Sequence, residues 1–301
     1  MALPPICLTG ASGFIGQRVV DRLAALGATD VTLFQRRPSR RVQRQTWRSF
    51  AVDLVSDAIP GEAFAPGCVV VHLAAATGSA NPRTMHAVNV DATGRLLDAA
   101  RAARARHFIF VSSVAAGYRD QRWAPYAQSK AAAERLVIAS GIPATLVRPT
   151  LVFGPGSPNQ RGLETLATLA LPLLPGQGDV RVQPIHVDDV ADALVHVTAN
   201  IRTTAAPVTV GGPSALTMRE LFAAIRRARG LAPRTPLLFP LEPLRRGLAI
   251  LGSATGSRLP VSAGQFVAFA NDSTAEPLPL GISLPAPQVG LEEMLAARAD
   301  A

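Results

Sequence analysis

The sequence predicts an α/β fold in which a doubly wound parallel sheet has helices on both faces. Short apolar runs rich in β-branched or aromatic residues, such as "ICLT", "CVVVH" and "HFIFV", alternate with longer segments rich in alanine and leucine. Continuous apolar runs are typical of strands buried on both faces, and helices between them connect parallel strands. A glycine-rich turn, "TGASGFIG", directly follows the first run and begins the first helical segment.

The predicted elements follow one another in regular order through the first half of the chain. Strands are expected in "ICLTG", "VTLFQ", the run ending at "AVD", "CVVVHLAA", "HFIFVSS" and "ATLVRP". Helices are expected in "FIGQRVVDRLAALG", "HAVNVDATGRLLDAARAAR" and "AQSKAAAERLVIAS". Gly27 and Gly141 stand where helices usually end, and Pro125 stands near a helix start.

The pattern divides the chain into a larger and a smaller part. Residues 1–155 form the predicted dinucleotide-binding domain, and residues 180–211 return to it through "VQPIHVDDVADALVHVT" and "PVTVGG". Residues 156–301 mainly form a smaller, partly interleaved lobe, with an amphipathic helix in "TMRELFAAIRRARG". We expect this C-terminal lobe to form the substrate side of a cleft.

Composition excludes several classes of protein. With 301 residues, 48% hydrophobic and 17% charged, the chain is expected to fold around a large core. The net charge is +9, but arginine is spread widely and aromatics make up only 5%, so no base-stacking surface for nucleic acid is evident. No apolar run suits a signal peptide or membrane span, which predicts a cytoplasmic protein. Cys7 and Cys68 lie in apolar runs, so neither a disulfide nor a bound metal is expected.

The glycine loop predicts a dinucleotide site. Gly10, Gly13 and Gly16 allow a tight turn and let backbone amides and the helix N-terminus approach a pyrophosphate. A glycine triplet alone is weak evidence, but here strand, loop and helix stand in the required order. The loop residues between the glycines, which we expect to contact the cofactor as well, are Ser12, Phe14 and Ile15.

The end of the second strand favours NADP(H) over NAD(H), which remains an alternative. An acidic residue usually binds the ribose hydroxyls of NAD about 20 residues beyond the loop. This sequence has Gln35 followed by Arg36 and Arg37, and guanidinium groups bind a 2′-phosphate well. The other interpretation is a solvated basic loop, which we expect for the arginines spaced for water-facing helix faces: Arg40, Arg41, Arg44 and Arg48.

Two further loops are expected near the cofactor. Asp53 and Leu54 follow the third strand and are placed to meet the adenine edge, although Asp53 also suits a simple turn. Small residues in "HLAAATG" follow the fourth strand, where a helix or ligand must approach closely or where packing alone requires them. The cofactor residues predicted in this second loop are Leu73, Ala74 and Ala75.

Ser113, Tyr126 and Lys130 form a candidate catalytic group. Ser113 follows the fifth strand, and Tyr126 and Lys130 lie one turn apart on the next helix. A phenol with a pKa of about 10 needs a nearby positive charge to act near neutral pH. Lys130 is the only lysine among 30 basic residues, which indicates a position where a compact ammonium must reach both the ribose hydroxyls of the cofactor and the surroundings of the phenol, as a planar guanidinium would not.

Several motifs, taken in order, resemble the extended short-chain dehydrogenase/reductase superfamily. "TGASGFIG", "HLAA", "NVDATG", "FVSSVAAG", "YAQSK", "RPTLVFGPG" and "QPIHVDDVADA" are similar to its NAD-dependent epimerase/dehydratase group across roughly residues 5 to 230. The resemblance implies a Rossmann fold and a Ser113, Tyr126, Lys130 triad. It also implies cofactor-side roles for Asn89, which otherwise suits a helix N-cap, and for Pro149 and Val152 beside the nicotinamide.

The resemblance implies hydride transfer between NADP(H) and a carbonyl or secondary alcohol, with Tyr126 as general acid or base. One alternative is a sugar-nucleotide epimerase or dehydratase; another is a non-catalytic NADPH-binding assembly protein like the complex I accessory subunit. Arg181 stands one residue away from the usual position of the diphosphate-binding arginine, and no acidic pair precedes Tyr126, so both sugar-nucleotide alternatives are weakened.

The apolar C-terminal lobe favours a hydrophobic small-molecule substrate, and a homodimer would suit the family. His186 is expected to order a turn before a helix that begins near Asp188.

Overall fold

A seven-stranded, fully parallel sheet forms the centre of the protein, with strand order β11-β6-β5-β4-β1-β2-β3. We describe a computed structural model, and it covers residues 3–39, 44, 46–78, 80–201, 203, 206–254, 263–275 and 288–296. The strands in chain order are β1 Ile6–Thr9, β2 Val31–Gln35, β3 Arg48–Ala51, β4 Val69–His72, β5 His107–Val111, β6 Ala144–Pro149, β7 Val152–Phe153, β8 Leu173–Pro175, β9 Arg181–Val182, β10 Ile185–His186, β11 Val208–Val210, β12 Leu216–Thr217 and β13 Leu237–Phe239.

Helices cover both faces of this sheet and build the second lobe. A π-helical turn, Ala87–Asp91, directly precedes α3, and short 3₁₀ turns occur at Gly61–Ala63, Val114–Gly117 and Ala263–Phe269. The α-helices are α1 Phe14–Ala25, α2 Pro82–His86, α3 Ala92–Ala102, α4 Pro125–Ala139, α5 Pro158–Thr168, α6 Val187–Ala199, α7 Met218–Ala228, α8 Leu241–Ala254 and α9 Leu291–Ala296. The predicted doubly wound Rossmann fold is confirmed.

Alternate residues of each strand face opposite sides of the sheet, so one apolar run fills two cores. Leu8, Val71 and Ile109 pack in one buried cluster, which also holds residues of α1 and α6. Their neighbours Cys7 and Phe108 pack in the other cluster, with residues of α3 and α4. Both cysteines, Cys7 and Cys68, are buried free thiols of this second cluster.

The C-terminal lobe has an apolar cluster of its own. Leu163 of α5, Leu174 of β8 and Phe222 of α7 are buried together there with Phe153 of β7. Short strand pairs, β7–β10, β8–β13 and β9–β12, link segments that are distant in the chain. The chain also returns to the main sheet, because β11 pairs with β6 and α6 packs beside α1. No helix of the described residues has the length and apolar content needed to cross a membrane.

The basic segment after β2 differs from the helical spacing predicted for it. Arg48 begins an edge strand in which it pairs with Thr32 of β2, and Arg44 forms an ion pair with Asp21 at 2.9 Å. The residues from Arg48 onward are extended because they pair with β2, and the spacing of the arginines along the chain did not indicate this pairing. Arg40 and Arg41 lie outside the described residues.

A buried ion pair joins α4 to β6. The Arg148 guanidinium donates to both oxygens of the Glu134 carboxylate, at 2.8 and 2.5 Å, and the Glu134 side chain is only 6% exposed. Such a two-point contact fixes the position of the helix that contains Tyr126 and Lys130.

We expect Glu134→Gln to lower the free energy of unfolding by about 3 kcal/mol, because the change leaves the Arg148 charge without its carboxylate. Urea denaturation followed by circular dichroism measures this loss. The matched control is Asp98→Asn, since Asp98 pairs with Arg101 on the surface with both side chains more than 60% exposed, and its loss should cost at most about 0.5 kcal/mol. Equal effects of the two substitutions would contradict the anchoring role.

Candidate active site

The glycine loop brings the end of β1, the start of α1 and the end of β4 into close contact. Gly10 has a φ of +72°, and a Cβ at that position would lie 2.6 Å from the Ala74 backbone nitrogen. A Cβ on Gly16 would lie 2.0 Å from the Gly10 carbonyl oxygen. Both positions therefore require glycine, since any side chain would push these backbone segments apart.

The N-terminus of α1 suits an anionic group. Its N-cap residue, Gly13, offers no side-chain cap, and the first turn contains no acidic residue. Ser12 and Gly13 are exposed, whereas Ile15 packs on the core and fixes the direction of the helix. The backbone amides of this turn, with the helix dipole, would hold the pyrophosphate of a dinucleotide. Phe14 is half-buried at the same turn.

The loops that follow β2 and β3 line the same edge of the sheet. Arg36 and Arg37 are exposed just after β2, and the buried Gln35 accepts a hydrogen bond from the Ser39 amide at 3.0 Å. The Asp53 carboxylate accepts a hydrogen bond from the Val55 amide at 2.9 Å. This contact stabilises a turn, which is the simpler of the two roles expected for Asp53. Leu54 is buried in the core cluster beneath that turn.

The loop after β4 is held by a directed chain of hydrogen bonds through His72. The Ala74 amide donates to Thr9 Oγ1, which lies 2.6 Å from His72 Nδ1, and His72 Nε2 lies 2.9 Å from Thr93 Oγ1. Thr93 Oγ1 itself donates to the Asn89 carbonyl, so it accepts from His72 Nε2. Burial lowers the pKa of His72 to about 3, so the ring is neutral with its proton on Nε2.

Asn89 lies in the π-helical turn and joins two loops of the site. Its Oδ1 accepts from the Ala76 amide at 2.7 Å, and its Nδ2 donates to the Ala76 carbonyl and to Ser129 Oγ. Ser129 Oγ in turn donates to the Tyr126 carbonyl. The Asn89 side chain therefore does not cap a helix; it connects the loop after β4 to the start of α4. π-Helical turns of this kind occur frequently at functional sites.

Ser113 and Tyr126 meet at the carboxyl end of β5. Ser113 caps the 3₁₀ turn that follows this strand by accepting from the Ala115 amide at 3.2 Å. Burial raises the pKa of the Tyr126 phenol to about 12, and a hydrogen bond with Ser113 opposes that rise. The sequence predicts that the Lys130 charge lowers this pKa; in the structure burial raises it instead, and the group that opposes the rise is Ser113 rather than Lys130. The phenol is therefore protonated at neutral pH.

Lys130 lies one turn beyond Tyr126 and is 2% exposed. Its Nζ donates to the Val111 carbonyl at 2.7 Å and lies 4.1 Å from the centre of the Phe110 ring. Burial lowers the pKa of this ammonium to about 7, although Glu134 on the next turn acts in the opposite direction. Burial explains the lysine: a guanidinium is larger and carries five N–H donors, most of which would be left without acceptors in this closed space.

The segment from Pro149 to Val152 crosses from β6 to β7. Pro149 and Val152 are buried at this crossing, and the Thr150 amide donates to the Val210 carbonyl at 2.9 Å. His186 caps α6 by accepting from the Asp188 amide at 3.3 Å, which is the structural role its position predicts. Within the described part of the chain, no three His, Cys, Asp or Glu side chains form a group that could hold a metal.

A tether from the C-terminal lobe, which we did not predict, holds the loop between Ser113 and Tyr126. Arg245 is fully buried and donates a hydrogen bond to Asp120 Oδ2 at 3.0 Å. The Asn271 side chain accepts a hydrogen bond from the Asp120 amide and donates one to the Asp120 carbonyl. The Tyr118 hydroxyl is hydrogen bonded to Ser273 Oγ. One signal was visible in the sequence: Tyr118 and Tyr126 are the only two tyrosines, and both lie here.

Comparison with known proteins agrees with this geometry. The model of the NAD dependent epimerase/dehydratase family matches residues 6–211. The chain belongs to this family. Members of the family are enzymes of the extended short-chain dehydrogenase/reductase superfamily, so the predicted resemblance and the prediction of an enzyme are confirmed.

Two curated relatives are similar over part of their length. A ceramide reductase of Caulobacter vibrioides is 36% identical over 196 residues, which is 63% of this chain and 59% of that protein. An uncharacterized protein of Mycobacterium tuberculosis is 30% identical over 248 residues, which is 80% of this chain but 25% of that protein. The chain thus spans well under two thirds of either relative.

Solved structures show the same fold. MoeE5 in complex with UDP-glucuronic acid and NAD has a TM-score of 0.71 and 24% identity, covering 98% of this chain and 97% of that one. A UDP-glucuronic acid 4-epimerase from Bacillus cereus in complex with NAD has a TM-score of 0.64 and 20% identity, covering 78% and 87%. At these identities the likeness establishes the fold.

We expect the buried Lys130 charge to make stability depend on pH. The folded protein releases this proton at about pH 7, whereas the unfolded chain keeps it up to its ordinary pKa of 10.5. Between these values the unfolded chain binds more protons, so the free energy of unfolding rises with pH. Relative to Lys130→Met, the unmodified protein should gain about 2 kcal/mol between pH 7 and pH 9 in urea denaturation. Parallel pH profiles would show that the charge is not buried.

Proposed function

We propose that this chain is an NADP(H)-dependent reductase that transfers hydride between the nicotinamide and the carbonyl or secondary alcohol of a hydrophobic, lipid-like substrate. The observation that supports it most is that Ser113 and the Tyr126 phenol meet at the carboxyl end of β5, one helical turn from the buried ammonium of Lys130. The bound cofactor supplies or accepts the hydride. A protonated phenol suits the reductive direction, because it can donate its proton to the oxygen of a carbonyl that Ser113 orients.

Support for a hydrophobic substrate comes from the apolar residues that surround the start of α4. Ala115, Ala124, Ala127 and Val267 are buried together in one apolar cluster, and Tyr118 packs against it. Val267 belongs to the C-terminal lobe, so this lobe packs an apolar side chain against the residues that flank Tyr126 in the chain. The ceramide reductase that is similar to this chain acts, by its name, on a lipid, which agrees with an apolar site.

A sugar-nucleotide substrate is supported by the family and by the neighbouring structures with bound UDP-sugars, and it is the second candidate. Two features of this chain weigh against it. The Gln183 amide group, near the place expected for a diphosphate contact, is already bonded to the Gly212 carbonyl and the Ala275 amide. The Asp120 carboxylate, which precedes Tyr126, is bonded to Arg122 and Arg245, and these contacts hold its pKa well below the usual range.

Turnover assays distinguish the candidates. Carbonyl compounds of increasing chain length and nucleotide sugars are screened against oxidation of NADPH, and we expect stoichiometric NADPH consumption with a long-chain ketone. A product formed without net consumption of NADPH would establish the epimerase instead. Nucleotide binding with no turnover of any substrate, unchanged in Tyr126→Phe, would favour the assembly protein, against which the complete triad now argues.

We expect Tyr126→Phe to lower kcat about a thousandfold, because the proton donor is lost while the ring still fills the site. Tyr118→Phe is the matched control, since it removes the only other phenol and should cost less than tenfold. Lys130→Arg should also abolish turnover with an unchanged circular dichroism spectrum, because the larger guanidinium cannot take the position of the compact ammonium in this buried space. A Tyr126→Phe enzyme as active as Tyr118→Phe would remove the proposed proton donor.

The preference for NADP(H) over NAD(H) is part of the proposal and rests on Arg36 and Arg37. Both are exposed just after β2, at the sheet edge where the adenosine ribose would lie, and Gln35 stands where a carboxylate would select NAD. We expect NADPH to bind at least tenfold more tightly than NADH by fluorescence titration. The double variant Arg36→Ala, Arg37→Ala should lose that preference, whereas the exposed pair Arg104→Ala, Arg106→Ala should keep it. Tighter binding of NADH by the unmodified chain would refute the assignment.

A further inference from the structure

A groove of about 650 Å³ lies in the C-terminal lobe, between α7 and the loop that follows it. Phe222 forms part of its wall, and the loop residues from Gly230 to Pro236 form much of the rest. We call this feature the arginine groove, because four guanidinium side chains line it and none of its lining residues is acidic. These four are Arg219, Arg226, Arg227 and Arg234.

The positive charge of the groove is poorly neutralised. Arg226 is buried, and the hydrogen bonds that the structure gives it go to the carbonyl oxygens of Ala167, Leu169 and Ala232. Carbonyl oxygens satisfy its donors but leave its charge uncompensated. Arg234 likewise donates to a carbonyl, that of Ala170.

The remaining two arginines of the groove differ in their contacts. Arg219 donates to the Gln177 carbonyl, and its nearest carboxylate, the exposed Asp179, lies 4.0 Å away. Arg227 is exposed. All four positive charges therefore lie at the face of the lobe that contains the groove, or just beneath that face.

Exposed leucines border the same groove. Four of the nine large apolar side chains that are exposed among the described residues lie here, with relative exposures between 37% and 54%. The pairing of β8 with β13 and the contacts of Arg226 and Arg234 with residues 167–170 bring the two leucine-bearing segments together. The four are Leu169, Leu171, Leu231 and Leu237.

We propose that the arginine groove and these four leucines form a docking surface for an anionic phospholipid bilayer. Guanidinium groups attract lipid phosphates, and leucines beside them enter the boundary between headgroups and acyl chains. The charge of the surface is complementary to an anionic bilayer, since four guanidinium groups lie beside four exposed leucines and none of the described residues that line the groove is acidic. The inference goes beyond the proposed reaction, and it would place the enzyme at the surface where lipid-like substrates are found.

Vesicle sedimentation tests the proposal with the full chain and without nucleotide. We expect binding to vesicles of phosphatidylglycerol and phosphatidylcholine, weak binding to phosphatidylcholine alone, and loss of binding as NaCl rises from 0.1 to 0.5 M. Arg227→Gln, Arg234→Gln should weaken the partition coefficient about thirtyfold, from about fivefold for each charge near the surface. Leu171→Ser, Leu237→Ser should weaken binding but keep its salt dependence.

Matched controls separate this surface from general charge and apolarity. Arg104→Gln, Arg106→Gln and Leu26→Ser, Val55→Ser alter exposed side chains on the sheet domain and should bind vesicles like the unmodified chain. Circular dichroism melting confirms that every variant is folded. Controls that lose binding to the same extent, or no binding to anionic vesicles at all, would overturn the proposal.

Two further outcomes would also overturn it. If inorganic phosphate or glycerol phosphate at low millimolar concentration displaces the vesicles completely, the groove is a site for a small anion. If the groove variants instead dissociate an oligomer in sedimentation velocity, the surface is a protein interface. Turnover of a short, water-soluble ketone is measured in parallel, because its survival in a variant that has lost vesicle binding separates this proposal from the proposed reaction.

Discussion

The position of α4 is the constraint on which the site depends. Tyr126, Lys130 and Glu134 follow one another at four-residue intervals, so one helical face carries a phenol, an ammonium and a carboxylate. The ammonium is bonded to the end of β5, and the carboxylate is bonded to Arg148 of β6. Two anchors to two neighbouring strands fix both the rotation and the depth of the helix. The helix therefore presents the Tyr126 phenol to Ser113 from a fixed position.

This arrangement has an energetic cost that the rest of the domain offsets. A lysine buried beside an aromatic ring holds its proton weakly, as its lowered pKa shows. The large two-sided core, with Phe108 and Phe110 almost fully buried, supplies the apolar burial that offsets this penalty. Functional groups that destabilise the fold in this way are common at active sites. The burial of the single lysine is therefore consistent with the role that we propose for it.

Neutral hydrogen bonds fix the positions of the expected cofactor loops, whereas charged groups fix the position of α4. The chain from Ala74 through Thr9, His72 and Thr93 to Asn89 has a defined donor and acceptor at every step. It joins β1, β4 and the π-helical turn without placing a charge beside the expected pyrophosphate. The C-terminal lobe holds the loop before Tyr126 through the buried Arg245. The lobe thus helps to position the candidate site, and it also bears the arginine groove.

By itself, the sequence determined the alternation of strands and helices in the sheet domain, the glycine loop and the spacing of Ser113, Tyr126 and Lys130. These follow from local patterns: apolar runs of strand length, glycines where no Cβ fits, and residues one helical turn apart. Only the tertiary structure decided that burial raises the Tyr126 pKa, that Arg48 begins a strand, and that Asp120 is bonded to Arg245. It also brought Leu171 and Leu237 beside Arg234. Burial, strand partners and contacts between segments more than 60 residues apart are produced by packing, and no local pattern encodes them.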